Sequence, residues 1–187
     1  MELILCSGSK TRAKLLREGG FQFQQVTPPF DEEQIESRDP YLFPLLAAYG
    51  KFKKCRELFP NRLFLTADTV VTDGREIFRK AKSVEEARQL LLKQSGREIR
   101  IVTGVWLQLP TGKVESFLDE TIYLFREFDR GELEEFLASG EWEGKAGACI
   151  VEGFCGKFVE KVVGYQSTAM GLPVEWLKER LQKLEGR

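Results

Sequence analysis

Apolar residues in this chain fall in short runs separated by small and charged residues, and the spacing predicts strands and helices in alternation. Residues 2–6 are an apolar run of strand length. Residues 10–18 set Leu15 and Leu16 on one side of a predicted helix, which Gly19-Gly20 closes. Residues 21–26 alternate Phe, Gln, Phe, Gln before Val26, the period of a strand, and Thr27-Pro28-Pro29 breaks it. An acidic loop begins at Phe30-Asp31-Glu32-Glu33. Asp39-Pro40 can cap a helix reaching Leu58, and Pro44 offers a second starting point. Residues 62–67 read as an apolar strand ended by Asp68-Thr69, with residues 70–72 continuing to a turn at Asp73-Gly74.

In the second half, Ser83 and Glu86 make a capping box for a helix through Gln94, with Ala87, Leu90, Leu91 and Gln94 on one face. Residues 97–109 and 113–125 are two long strands around Pro110-Thr111-Gly112, a hairpin. Asp129 and Glu132 form a second capping box, with Leu133, Phe136 and Leu137 inward. Residues 158–163 read as a strand, and residues 174–184 as an amphipathic helix with Leu177, Leu181 and Leu184 in line. Helices and strands interleave, but the long hairpin is antiparallel. The expected fold is therefore α/β with an elongated mixed sheet flanked by helices. A chain of 187 residues suits one domain, or one domain with two lobes, and no repeat or linker divides it.

Composition narrows the chemistry. The formal net charge is −1, from 28 basic and 29 acidic residues, which argues against a general nucleic-acid or membrane surface. There is no histidine. Acid–base work then falls to carboxylates, lysines or tyrosines, and any metal is expected to be a hard ion such as Mg²⁺ or Mn²⁺. Cys6, Cys55, Cys149 and Cys155 show no CxxC spacing, so no zinc site is expected. No signal-peptide pattern is seen, and no apolar run approaches the roughly 20 residues that span a bilayer. The expectation is a soluble cytoplasmic protein with reduced thiols.

Candidate site residues follow. Ser7-Gly8-Ser9 lies between a strand and a helix, where backbone N–H groups, hydroxyls and the positive end of the helix dipole suit a phosphate. Arg12, one turn in, can fork onto phosphate oxygens. The stretch is not a P-loop, and a serine–glycine turn is by itself ordinary. Asp68 closes a buried strand, where α/β sheets bind ligands, and Glu32 sits in an acidic loop. The two could hold a divalent cation or activate water. Lys51 and Lys80 stand among apolar neighbours, and residues 143–153 are rich in Gly and Ala, which let a ligand or backbone come close.

Taken in order, these pieces resemble the Maf family of nucleoside triphosphate pyrophosphatases, also called septum-formation inhibitors. The resemblance covers nearly the whole chain. It rests on Ser7, Ser9 and Arg12 followed by Leu15-Leu16, on Asp31-Glu32, and on Ala48 to Lys51. It continues with Thr66-Ala67-Asp68-Thr69-Val70-Val71, Lys80-Ala81, Ser95-Gly96 and Thr103-Gly104-Val105. Lys145 to Ala148 with Gly153, and Gly171-Leu172-Pro173, complete it. The resemblance implies cleavage between the α and β phosphates of a nucleoside triphosphate with a divalent metal, Mg²⁺ or Mn²⁺. It implies two lobes around a central cleft, similar to the inosine triphosphatases, within a single domain over residues 1–187, and it admits a homodimer. Asp68 would be the catalytic carboxylate, with Glu32 assisting at the metal. Ser7, Ser9, Arg12, Lys51 and Lys80 would hold the triphosphate.

The chain departs from the family pattern at Lys10-Thr11, Thr66, Ala81 and Cys149. At the base-reading position it carries Glu152. Glutamate there resembles the subfamily acting on 7-methyl-GTP, whereas Asp68-Thr69 resembles the one acting on dTTP and UTP. A carboxylate accepts from a guanine edge but cannot donate to a thymine carbonyl. Two other readings stand beside the enzyme: a catalytically weak nucleotide-binding regulator of septum formation, and a fold acting on RNA. The retained Asp68, Glu32, Lys51 and Lys80 oppose the first, and the balanced charge opposes the second.

Overall fold

The computed structural model describes residues 2–30 and 35–185. Its first strand, β1 (Leu3–Cys6), is buried along its whole length, as expected of a parallel strand covered on both faces. Leu3 and Leu5 pack on one side, Ile4 and Cys6 on the other. Helix α1 (Lys10–Glu18) matches the predicted residues. Ser9 caps it, its Oγ accepting from Arg12 N at 3.3 Å. Strand β2 (Phe23–Val26) runs parallel to β1.

Helix α2 (Leu42–Leu58) begins between the two expected starting points. Asp39 sets that start by accepting from the backbone N–H groups of Tyr41 and Leu42 at 2.8 and 2.9 Å. Pro44 then falls in the first turn, where a missing N–H costs no helical bond. Strand β3 (Phe64–Thr72) does not end at Asp68-Thr69 but continues through them, parallel to β1 at its start. Its end pairs with β4 (Ile77–Phe78), a two-residue strand that the pattern did not reveal. Helix α3 (Val84–Gln94), strands β5 (Glu98–Gln108) and β6 (Val114–Phe125) and helix α4 (Arg130–Ser139) follow the predicted order. Ser83 and Asp129 cap the two helices as expected, accepting from Glu86 N and Glu132 N. A 3₁₀ turn (Phe154–Phe158) precedes β7 (Val159–Val163), and a one-turn helix α5 (Gln166–Ala169) precedes α6 (Val174–Glu185).

The strands form a seven-stranded mixed sheet in the order β2-β1-β3-β5-β6-β7, with β4 against β3. Helices flank it, giving an α/β fold. The chain divides into two compact units. The first holds residues 1–69, 102–120 and 165–187, and the second residues 70–101 and 121–164. In the first unit, one face of β1, β3 and β5 packs with Ala13, Leu16, Leu172, Val174 and Leu177 of α1, α6 and the turn before α6. Phe52 and Cys55 of α2 pack the other face. The second unit has its own aromatic core, in which Phe125, Phe128, Phe136, Phe154 and Phe158 meet ring to ring.

The cysteines correct an expectation. Cys6 is bonded to Cys55, and Cys149 to Cys155, so the described chain has no free thiol. Cys6 and Cys55 lie 49 residues apart and meet because α2 packs on the even face of β1. That contact is tertiary, and spacing along the chain does not display it.

Arg180 of α6 donates two hydrogen bonds to the carboxylate of Glu115 on β6. Those bonds, with Lys113 adding to them, hold Glu115 down to about 2 from its ordinary 4.5. A carboxyl whose folded value is depressed stabilises the fold above its unfolded value and loses that stabilisation as pH falls through the folded one. Wild type is expected to exceed Glu115→Gln by about 1–2 kcal/mol near neutral pH, from a pair that is only partly shielded. Urea unfolding should show the two converging as pH drops below 4.5 toward 2; a constant gap would mean that the bridge contributes by shape alone.

Candidate active site

The chain leaves β1 for β2 on one side and returns to β3 on the other, so the carboxyl end of β1 is a topological switch point. In α/β sheets that is where ligands bind. Ser7-Gly8-Ser9 occupies this end, at the N-terminus of α1. Ser7 is buried, and its Oγ accepts from Ser9 N and from Arg12 Nη1, both at 3.2 Å. With both lone pairs accepting, Ser7 has its O–H to offer a ligand. Gln25 steadies the turn from β2, donating to the carbonyls of Ser7 and Ser9 at 2.7 and 3.4 Å.

Successive residues on β3 face opposite ways, and this alternation divides the site. Thr66 and Asp68 face α2. Thr66 Oγ1 donates to Ala48 O at 2.8 Å, and Lys51 Nζ lies 2.7 Å from Asp68 Oδ1. The Lys51 and Asp68 side chains are only 15% and 9% exposed, so this ion pair is largely shielded from water. Ala67 and Thr69 face α1. Arg12 Nη2 donates to Thr69 Oγ1 at 3.0 Å, and Arg12 Nε to Gly171 O at 2.7 Å. The guanidinium fork expected to meet phosphate thus also binds the protein, at Ser7, Thr69 and Gly171. At Gly171 a φ of +107° and the closeness of Thr69 and Arg12 exclude a side chain; an added Cβ would lie 3.2 Å from Thr69 Oγ1.

The structure therefore places Ser7, Ser9, Arg12, Lys51 and Asp68 in the first unit, with Ser7, Ser9 and Arg12 bonded to one another and Lys51 paired with Asp68 on the other side of β3. Glu32, with Asp31, lies outside the described residues. Lys80 and Glu152 belong to the second unit. Lys80 is exposed and pairs in an isolated bridge with Ala146. Arg79 O accepts from Gly147 N at 3.2 Å, and the buried Gln94 donates to Gly147 O at 2.6 Å, so the Lys80 segment and the 145–148 turn are braced together. Glu152 is exposed, on the loop closed by the Cys149–Cys155 bridge. Its charge reaches Tyr123, whose phenol is pushed above its usual range first by burial and then by Glu152.

Sequence reasoning assigned no role to Thr69 or Gly171, which accept from Arg12, or to Thr103 and Thr168, which are bonded in line behind Thr69. A signal was available: Thr103 is a hydroxyl inside an apolar strand, and a buried hydroxyl needs a partner. Among the described residues no three His, Cys, Asp or Glu side chains cluster as a closed metal cage. No helix there is long and apolar enough to cross a membrane. Chemically, the first unit offers an anion-accepting turn at a strand end and, on the neighbouring strand, a carboxylate fixed by a lysine.

That combination places the chain among α/β proteins with a polar site at the carboxyl ends of parallel strands. A family model described as Maf-like protein matches residues 2–184, and the chain belongs to that family. Among curated relatives, a nucleoside triphosphate pyrophosphatase from a Nitratiruptor species is 47% identical, over 94% of this chain and 96% of its own length. A protein of the same name from Helicobacter pylori is 40% identical over 95% of this chain and 93% of its own. A dTTP/UTP pyrophosphatase from a Chelativorans species is 38% identical over 92% and 86%.

Proposed function

We propose that the protein is a nucleoside triphosphate pyrophosphatase, hydrolysing a triphosphate to the monophosphate and diphosphate and removing non-canonical or modified nucleotides. The shielded Lys51–Asp68 pair on β3, the strand next to the one that ends in the Ser7–Ser9 turn, carries this reading. Its relatives' names point the same way. Asp68 orients the attacking water and takes its proton, and Lys51 fixes the carboxylate through Oδ1. As the water oxygen bonds to the α phosphorus, the bond to the departing diphosphate breaks. Ser7, Ser9, Arg12, Lys51 and Lys80 bind and neutralise the polyphosphate, which is most of what such a reaction asks of a protein.

The donor set suits a hard cation. Asp68 is an oxygen ligand, and Mg²⁺ or Mn²⁺ takes one or two carboxylates together with substrate phosphates rather than an all-protein cage. Asp68 and Glu32 would hold it, and when bound it would supply charge neutralisation at the phosphates. A triphosphate substrate also favours a cytoplasmic setting.

The test is purified protein with Mg²⁺ or Mn²⁺ and a panel of canonical and modified triphosphates, scoring diphosphate and free phosphate separately. Diphosphate as first product, abolished by chelation, is expected. Free phosphate as first product would mean cleavage at another bond and would overturn the reading. Tight nucleotide binding without turnover would make the protein a nucleotide-binding regulator instead. Glu152 predicts that 7-methyl-GTP competes better than dTTP; a clear dTTP preference removes Glu152 from base reading.

A further inference from the structure

Two of the contacts that Arg12 makes with the protein lead to one turn. Arg12 Nε donates directly to Gly171 O at 2.7 Å. Arg12 Nη2 donates to Thr69 Oγ1, which lies 2.9 Å from Thr103 Oγ1, and Thr103 Oγ1 donates to Thr168 O at 2.8 Å. Thr168 in turn donates its own hydroxyl to Asp119 Oδ2 at 2.6 Å. The path from Arg12 through two hydroxyls therefore returns to residues 168–171, where the direct path also ends. Every member lies in the first unit.

The direction of each bond follows from counting protons. A hydroxyl has one proton to donate, and a carbonyl can only accept. Thr103 must spend its proton on Thr168 O. In the Thr69–Thr103 pair, Thr69 is then the donor. With its proton committed to Thr103, Thr69 meets Arg12 with a lone pair, as a guanidinium requires. The chain runs one way, from Arg12 N–H to Thr69 O–H to Thr103 O–H to the Thr168 carbonyl, and bonds aligned in this sense polarise one another.

We propose that Thr103 is a positioning residue for the triphosphate site: fully buried, it orients the Thr69 hydroxyl and through it fixes the Arg12 guanidinium. This rests on the reading of Arg12 as a phosphate-binding residue. Without the Thr103 hydroxyl, Thr69 keeps its oxygen but loses the acceptor that aims it. Thr69 can then rotate its proton toward Arg12, where a cation repels it. Arg12 keeps Ser7 and Gly171 but loses the hold of Thr69. The consequence falls on substrate binding, because Asp68 and Lys51 are held from the other face of β3.

The test is a double-mutant cycle in the full chain with Thr69→Val, Thr103→Val and the pair, and Thr103→Ser as rescue. Thr103→Val is expected to raise KM for triphosphates about tenfold with kcat within about twofold, the scale of one hydrogen bond to a charged group. Thr103→Ser keeps the hydroxyl and should return KM to within about twofold of wild type. Added to Thr69→Val, Thr103→Val should raise KM no further, because its route to Arg12 is already cut. Additive KM effects, a loss in kcat alone, or no rescue by serine overturns the proposal. The same proteins are unfolded in urea, where the two residues should be coupled in the midpoint without any nucleotide. If wild type releases no diphosphate from any triphosphate, the pyrophosphatase reading fails separately and the urea cycle decides: coupled midpoints support the hydroxyl chain, and independent ones overturn it.

Discussion

Asp68→Asn should lower diphosphate release by about a thousandfold, within the range that a positioned acid or base contributes. The substitution keeps size and one oxygen acceptor but removes the charge. Asparagine cannot take the proton of an attacking water, and it is a poor partner for a hard cation. Lys51 would then stand against a neutral group at a site only 15% exposed. Removing the charge of one member of a shielded ion pair is destabilising; because the amide oxygen can still accept from Lys51, about 1–3 kcal/mol is expected. Thermal unfolding beside steady-state kinetics separates the two effects. A folded Asp68→Asn with kcat lowered a thousandfold and KM within a few-fold places the carboxylate in the chemistry. Turnover within tenfold of wild type would remove it from that role.

Gly104→Ala is expected to lower the melting temperature by about 10 °C, from a destabilisation of about 3 kcal/mol or more. Gly104 lies on β5 where the first turn of α2 crosses. A Cβ there would come within 2.7 Å of Leu45 N, 2.8 Å of Pro44 C and 2.9 Å of Pro44 O. These are backbone atoms, so no rotamer change relieves the contact. The same turn is tied to β5 by Trp106, whose Nε1 donates to Leu45 O at 3.0 Å. Displacing α2 also displaces Lys51, so activity should fall in the protein that remains folded. Differential scanning calorimetry checks the first part. An unchanged melting temperature would mean that α2 can shift outward freely, and the Lys51–Asp68 distance would not depend on this crossing.

Much of the fold was legible because local signals agreed. Helix α1 was readable to the residue from the inward Leu15-Leu16 pair and the Gly19-Gly20 end. The capping boxes at Ser83 and Asp129 located α3 and α4 in the same way. What escaped were features that only tertiary neighbours explain. Asp68-Thr69 looked like a strand end because two polar residues interrupt an apolar run. In the fold they are mid-strand, one facing Lys51 and the other Arg12, and each finds a partner on its own side of the sheet. Once β3 is continuous, period-two alternation assigns the two faces at once. The disulfides escaped for a related reason, since Cys6 and Cys55 meet only through packing. The hydroxyl chain behind Arg12 depends on strands, a helix and a turn lying side by side, and no spacing along the sequence encodes it.

The ends of the sheet matter for how the protein behaves at high concentration. β2 and β7 are its terminal strands, and an edge strand offers unpaired N–H and C=O groups to another chain. β2 is short, and its two central residues, Gln24 and Gln25, are polar and exposed. β7 is longer and exposes Val162 and Val163, about half open to solvent, behind Glu160 and Lys161. With a net charge of −1, general repulsion between molecules is weak. Solubility then rests on local gatekeepers, and at the β7 edge those are Glu160 and Lys161.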